Sequence, residues 1–165
     1  MQIDPTLKMV KTPNIYTLVK GAAEGRTRLN AFDKALLQAG VGDTNLMRMS
    51  SILPPAAEQV SVSDISFPKG GLVPLAYATI DGNTPGRLIS AAVAVGIPED
   101  DSEPGVIMEF EDHADLDTVE GIVRQMVVDG FEYRGRKLKE IKSFGIEHKI
   151  ETCGAVFAAA VLWYK

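Results

Sequence analysis

Hydrophobic and polar positions run along this chain in two rhythms, and the points where the rhythm changes outline its elements. "NIYTLVKG" (14–21) is apolar and rich in strand formers, which predicts a short strand ending at a glycine turn. "NAFDKALLQAG" (30–40) switches to helical spacing. Phe32, Ala35, Leu36 and Ala39 fall on one face, with Asn30 placed to cap the start and Gly40 to end the helix. "TNLMRMS" (44–50) predicts another strand. Residues 51–70 hold three of the nine prolines among several turn formers and predict an irregular connection.

Beyond it, "GLVPLAYATI" (71–80), "GRLISAAVAVGI" (86–97) and "GVIMEFE" (105–111) predict strands separated by turns such as "DGNTPG". "DTVEGIVRQMVVDG" (117–130) predicts the clearest helix. Asp117 and Glu120 have capping-box spacing, and Val119, Ile122, Val123, Met126 and Val127 make one stripe. "KEIKSFGIEHKI" (139–150) and "GAVFAAAVLWY" (154–164) predict two closing strands. The alanines of the last segment also suit a helix, but the β-branched and aromatic residues around them favour a strand. Several runs are apolar on both alternations, which predicts strands covered on both faces. Six or seven strands with two helices make a layered α/β or α+β domain whose helices lie outside the sheets.

Length and composition remove whole classes of function. A chain of 165 residues makes one domain, spanning 1–165, and 45% hydrophobic with 24% charged residues is the balance of a globular protein. The net charge of −5, with no block of like charges, gives no footprint for nucleic acid. No apolar run reaches the length of a membrane span, and "MQIDPTLKMVKTPN" lacks the apolar centre of a signal peptide. The single cysteine, Cys153, excludes an internal disulfide and fits a reducing, cytoplasmic setting.

Familiar catalytic motifs are missing. There is no Gly-rich phosphate loop, no paired-cysteine metal motif and no GxSxG elbow, so no metal site is expected. His113 and His148 stand far apart without ligand spacing and are expected at the surface or at a strand edge. Cys153 has no histidine nearby and is expected to be a buried structural thiol.

That leaves "NLMRMSSILPP" (45–55). A Ser–Ser pair before two prolines is satisfied by a plain strand end. It also permits chemistry. The Ser51 hydroxyl can attack the Ser50 carbonyl carbon, turning amide into ester through an oxyanion that needs a donor. β-Elimination then frees Ser50 as a carboxylate, and hydrolysis of the dehydroalanine at 51 leaves a pyruvoyl ketone. Such a ketone condenses with a substrate amine and acts as an electron sink.

With "LNAFDKALLQAGVGDTN" before it and "GVIMEFE" and "CGAVFAAAVLWYK" after it, this stretch resembles the pyruvoyl-dependent arginine decarboxylase family, from about Pro13 to Lys165. The resemblance implies autocatalytic cleavage into a β chain, 1–50, and an α chain, 51–165, that begins with a covalent pyruvoyl group from Ser51. No diffusible cofactor is then needed. It implies L-arginine as substrate and agmatine and CO2 as products. The implied fold is an αββα sandwich assembled into homotrimers of processed units, or pairs of such trimers, with active sites between subunits. Asn45 matches the asparagine linked to processing, where its amide would serve the oxyanion or align the carbonyl. Glu109 matches the catalytic glutamate, Glu111 being the rival two residues away on the same strand face. Asp33 matches the aspartate that takes the guanidinium, and Leu29, Gly42, Thr44 and Ile52 line the same pocket. Asp33 also suits the first turn of a helix for electrostatic reasons alone. Two alternatives stay open: the same chemistry on another amino acid such as aspartate, and an unprocessed, non-catalytic assembly module.

Overall fold

The structure is a computed structural model and describes residues 11–165; the reading of the N-terminus as lacking a signal-like centre therefore falls mostly outside the described residues. The fold is α+β, with two α-helices and two sheets. In chain order the elements are β1 (Ile15–Glu24), α1 (Arg28–Ala39), β2 (Asn45–Arg48), β3 (Ile52–Leu53), β4 (Glu58–Gln59), β5 (Leu72–Gly82), β6 (Leu88–Pro98), β7 (Gly105–Asp112), α2 (Leu116–Arg134), β8 (Leu138–Lys149) and β9 (Gly154–Trp163). A 3-10 turn covers Val62–Asp64. The first sheet has the order β2-β5-β9-β1-β4 and the second β3-β7-β6-β8. Neighbours pair antiparallel except at the two edges of the first sheet, where β2 runs parallel to β5 and β4 parallel to β1.

Apolar patterning explains this arrangement. On β9, Val156, Ala158, Ala160 and Leu162 join one buried cluster with Tyr16, Ala76, Ile89, Val93, Val95 and Ile107, which come from both sheets. The alternate residues Phe157, Ala159 and Val161 join a second cluster with Ala35, Leu36 and Ala39 of α1. A third unites Ala92 and Ala94 of β6 and Val106 of β7 with Val119, Val123, Val127 and Phe131 of α2. Strands apolar on both faces are therefore covered on both faces, and β9, flanked by β5 and β1, is a central strand. The alanine run packs between neighbours on either side rather than coiling, so tertiary burial overrides helix propensity.

Several local expectations need correction. Gly21 does not end β1, which runs on to Glu24. A Cβ at Gly21 would lie 2.0 Å from the Ala35 carbonyl oxygen, so the glycine lets α1 lie directly on the strand. The cap of α1 is Thr27, whose side chain accepts from Asn30 N–H, while Gly40 ends the helix at φ 83° as expected. The cap of α2 is Asp115, which accepts from Thr118 N–H, rather than Asp117. Of its predicted stripe, Val119, Val123 and Val127 are buried, whereas Ile122 is 37% exposed. Residues 51–70 are irregular apart from β3, β4 and the 3-10 turn, and the two-residue strands raise the count to nine among the described residues.

Candidate active site

The chain leaves the edge of the first sheet after Arg48 and joins the edge of the second at Ile52, so Met49, Ser50 and Ser51 form the crossover between sheets. Both ends are pinned. Met49 N–H donates to Leu75 O at 3.0 Å, and Ser51 O accepts from Ile107 N–H at 2.9 Å. Between them Ile52 N–H donates to Ser50 O at 2.7 Å, a three-residue turn centred on Ser51. The Ser50–Ser51 peptide is thus a tight corner whose carbonyl oxygen already faces a backbone donor.

Glu109 approaches this corner from β7. Ser51 Oγ donates to its carboxylate, 3.1 Å from Oε1 and 2.9 Å from Oε2. Strand alternation explains the approach. Met108 and Phe110 pack toward α2, while Ile107 belongs to the cluster shared by the two sheets, so Glu109 faces the same way as Ile107. In the second sheet Glu109 pairs with Val93, and Val93 with Phe144. The carboxylate ends an apolar row, and its side chain is only 18% exposed. Burial pushes its pKa above the usual carboxylate range, against the Ser51 hydrogen bond and the Arg48 charge, which pull it down. Glu111 lies on the same face and is also raised, by burial and by the Glu109 charge, with Arg48 opposing. Ser51 Oγ nevertheless bonds Glu109 and not Glu111.

Sequence reasoning overlooked Arg48. Its guanidinium lies 4.5 Å over the Tyr77 ring, Nη2 donates to Tyr77 O at 2.8 Å, and the same nitrogen is 3.9 Å from Glu109 Oε1. The signal was present, since Arg48 is the sole charged residue between Asn45 and Leu53.

Of the other expected site residues, only Ile52 lies at this corner. Asn45, at the far end of β2, donates from Nδ2 to Gly70 O at 2.8 Å, and the Ser50 carbonyl receives Ile52 N–H instead. Leu29 and Asp33 project from α1 at one-turn spacing, and Leu29 is 74% exposed. Asp33 lines an open depression with Glu24, Gly25, Arg26, Asn30 and Lys34, in which neither Ser51 nor Glu109 takes part. Gly42 and Thr44 lie in the loop from α1 to β2, where Thr44 Oγ1 donates to Val41 O at 2.7 Å. Ile52, beside the serine, is 38% exposed. One chain therefore joins Ser50, Ser51, Ile52, Glu109 and Arg48, and holds Leu29, Asp33, Gly42 and Thr44 apart from them. Among the described residues, no group of histidine, cysteine and acidic side chains has the arrangement of a metal site.

Both histidines and the cysteine are where expected. His113 is exposed, Cys153 is buried, and His148 sits on β8, the edge strand of the second sheet. His148 Nε2 lies 2.6 Å from Glu24 Oε1. Glu24 also accepts from the N–H groups of Glu151, Thr152 and Cys153 and from Thr152 Oγ1, closing the β8–β9 turn. Burial works to raise its pKa, but His148 and these backbone donors prevail and hold it at about 2, below the ordinary 4.5. A carboxyl depressed on folding stabilises fully above its unfolded value and loses that contribution as pH falls through the folded one. Glu24→Gln is expected to lower stability by about 2 kcal/mol at pH 7, the scale of charged hydrogen bonds. In urea unfolding of both proteins, the gap should narrow as pH falls from 4.5 toward 2.

Comparison with known proteins places these features in a family. The family model described as pyruvoyl-dependent arginine decarboxylase matches residues 15–165. A Methanocaldococcus jannaschii protein named pyruvoyl-dependent arginine decarboxylase is 49% identical over 164 residues, covering 99% of this chain and 98% of its own length. Proteins of the same name from Methanococcus aeolicus and Pyrococcus abyssi are 44% and 41% identical over 163 and 153 residues. These cover 99% and 93% of this chain, and 98% and 96% of their own lengths. The chain belongs to the pyruvoyl-dependent arginine decarboxylase family.

Proposed function

We propose that the chain matures by cutting itself between Ser50 and Ser51 and then decarboxylates L-arginine to agmatine and CO2. The observation that carries this reading is the Ser51 hydroxyl on both carboxylate oxygens of Glu109, at a peptide whose carbonyl accepts from Ile52 N–H. Glu109 takes the hydroxyl proton as Ser51 Oγ bonds the Ser50 carbonyl carbon. Negative charge grows on Ser50 O, where the Ile52 N–H already points. Collapse, with Glu109 returning that proton to the leaving nitrogen, releases the amine of residue 51 and leaves an ester. Loss of the Ser51 α-proton then expels Ser50 as a carboxylate and leaves dehydroalanine at 51. Its tautomer takes up water, releases ammonia and becomes the pyruvoyl ketone. The products are residues 1–50 and 51–165. The residues present fit this prosthetic group, since Ser51 supplies its carbons and a carboxylate and an amide donor stand at the reacting atoms.

The pyruvoyl ketone supplies the electrophile that takes up the substrate amino group and draws electrons away as CO2 leaves. The chain contributes the surroundings. Glu109, biased by burial toward its protonated form, holds a proton for the substrate α-carbon. Asp33 takes the guanidinium, Leu29 and Ile52 pack on the substrate's aliphatic stem, and the Gly42 and Thr44 backbone carbonyls close the pocket. A carboxylate at Asp33 opposes aspartate as a substrate.

Because the Asp33 group and the Ser51 group do not meet within one chain, two copies complete each site, and we infer a homotrimer of processed units. Exposed apolar residues support this. Met47 and Met49 flank Arg48, and Leu72 begins the strand beside β2 and is 63% exposed. The three apolar clusters support an αββα order of layers, one folding unit over 1–165 before cleavage. The lone Cys153 supports a cytoplasmic setting, and no helix of the described residues is long and apolar enough to cross a membrane.

The test is product formation by the purified protein offered L-arginine, L-lysine, L-ornithine and L-aspartate separately. Agmatine and CO2 from arginine, at a rate at least about 100-fold above the others, are expected. Turnover of aspartate alone would remove the arginine assignment, and turnover of none would remove the decarboxylase.

A further inference from the structure

We propose that Arg48 is a positioning residue, clamped on Tyr77 so that its guanidinium keeps the Glu109 carboxylate charged and turned toward Ser51 Oγ. The proposal rests on the self-cleavage reading above. Three contacts define the clamp: the Tyr77 ring under the guanidinium at 4.5 Å, the Nη2 donation to Tyr77 O at 2.8 Å, and the 3.9 Å from Nη2 to Glu109 Oε1. Ring and carbonyl together fix a side chain that is itself 56% exposed. Arg48 also lies two residues before Ser50, on the strand that delivers the scissile peptide, so one short segment carries both the bond to be cut and the charge beside its base.

Among the described residues, Arg48 is the cation paired with this carboxylate, while Lys20 of β1 lies over the Phe144 ring at 4.2 Å and donates to Gly145 O. On β7 itself Glu111 faces the same way and adds negative charge. From β6 come Ala91 and Val93, and from the next strand Phe144 and Ile146, all apolar. From β5 comes Tyr77, beneath the guanidinium, and the crossover brings the Ser51 hydroxyl. Met108 and Phe110 occupy the opposite face against α2. Burial favours the protonated acid, while the hydroxyl and the guanidinium favour the carboxylate. Glu109 must be a carboxylate to take the proton of Ser51 Oγ and an acid to return a proton after decarboxylation. Cleavage removes the hydroxyl, and the ketone that replaces it donates no hydrogen bond. The first support for the charged form is thus lost on maturation, and within the chain Arg48 then limits how far the site shifts toward acid. One residue serves as base and later as acid without moving.

The test begins with the Ser51→Ala chain, which cannot cleave and lacks the hydroxyl, leaving the guanidinium as the remaining support. The Glu109 side-chain carboxyl is followed by carbon-13 NMR against pH, its signal assigned by its absence in Glu109→Gln. Arg48→Met is expected to raise the titration midpoint by about one pH unit, the low end for a charge pair within 4–6 Å because the guanidinium is half exposed. Arg48→Lys is expected to restore at least half of that shift. The shift should persist with Glu111→Gln in the background, which separates the two carboxylates. A midpoint that stays in place when Arg48 is replaced overturns the proposal. If Arg48→Met does not fold, Arg48→Gln, which retains a donor for Tyr77 O, carries the same comparison.

With Ser51 restored, Arg48→Met is expected to move the acidic limb of the cleavage-rate profile upward by the same unit, because a weaker ion pair leaves less carboxylate at low pH. Uniform slowing with the limb in place would mean that Arg48 only fastens β2 to Tyr77, and would overturn the proposal. A wild-type chain that cleaves at no pH overturns the self-cleavage reading instead, and the NMR midpoint still decides the role of Arg48.

Discussion

Ser51→Ala is expected to leave a single uncleaved chain of 165 residues that forms no detectable agmatine. The substitution removes one oxygen. That oxygen donates to both Glu109 oxygens, and in the proposed cleavage it is the nucleophile for the Ser50 carbonyl. Without it the ester cannot form, residues 50 and 51 stay joined by an amide, and no ketone arises. The expected loss is total rather than partial, because an intact amide at residue 51 offers the substrate amine no ketone. The fold should survive. Ser51 is only partly buried, and losing the hydrogen bond its hydroxyl shares between the two Glu109 oxygens costs about 1 kcal/mol. Denaturing electrophoresis and an agmatine assay, with circular dichroism to confirm folding, check each point. A cleaved product from this variant would mean that the cut lies elsewhere.

Glu109→Gln is expected to reduce arginine decarboxylation by about 100- to 10,000-fold, the usual contribution of a positioned proton donor. Glutamine has nearly the same shape and can still accept from Ser51 Oγ, so binding and geometry change little. Its amide carries no proton to give at the pH where a buried carboxyl would. The loss should therefore appear in kcat far more than in KM. Cleavage should slow as well, since an amide is a poor acceptor for the hydroxyl proton. The rate limb assigned to this carboxyl should vanish in the variant. Equal activity of Glu109→Gln and wild type would transfer the proton to another group, Glu111 being the nearest carboxylate on the same strand face.

How much of this was legible in the sequence depends on the distance over which each feature is determined. Val119, Val123 and Val127 repeat at helical spacing, and burial against β6 and β7 follows from that stripe. The alternation in β9 predicted a strand covered on both faces, and both apolar clusters meet there. Helix starts were less legible. Asn30 and Asp117 are plausible caps, but Thr27 and Asp115 lie earlier, and each helix begins where the chain turns off a strand. Gly21 reads as a turn because glycine ends strands. Its real reason, the Ala35 carbonyl lying on the strand, exists only once α1 has docked.

The site divides in the same way. Ser50 and Ser51 carry their chemistry in their adjacency, so a linear reading finds them. Glu109 was found by resemblance; alone, its alternation with Met108 and Phe110 also describes a solvated strand face. Its real position follows from β3 pairing with β7 at Ile52 and Val106, which brings the corner against the carboxylate. Arg48 was invisible for a related reason. Its partners, Tyr77 and Glu109, belong to different sheets, and only the crossover between sheets brings all three together. Asn45 shows the opposite case, a residue picked out by resemblance whose side chain, within one chain, is engaged by Gly70.

The central claim is that the corner at Ser50 and Ser51 is a self-cleaving site. Intact-mass measurement of the purified protein under denaturing conditions, after treatment with a ketone-specific reagent, tests it most directly. The expected result is two fragments, residues 1–50 and residues 51–165, with the label on the larger one at a blocked N-terminus. A single unlabelled chain of 165 residues that persists through prolonged incubation would contradict it, and Ser51 would then be an ordinary hydroxyl bonded to an ordinary glutamate.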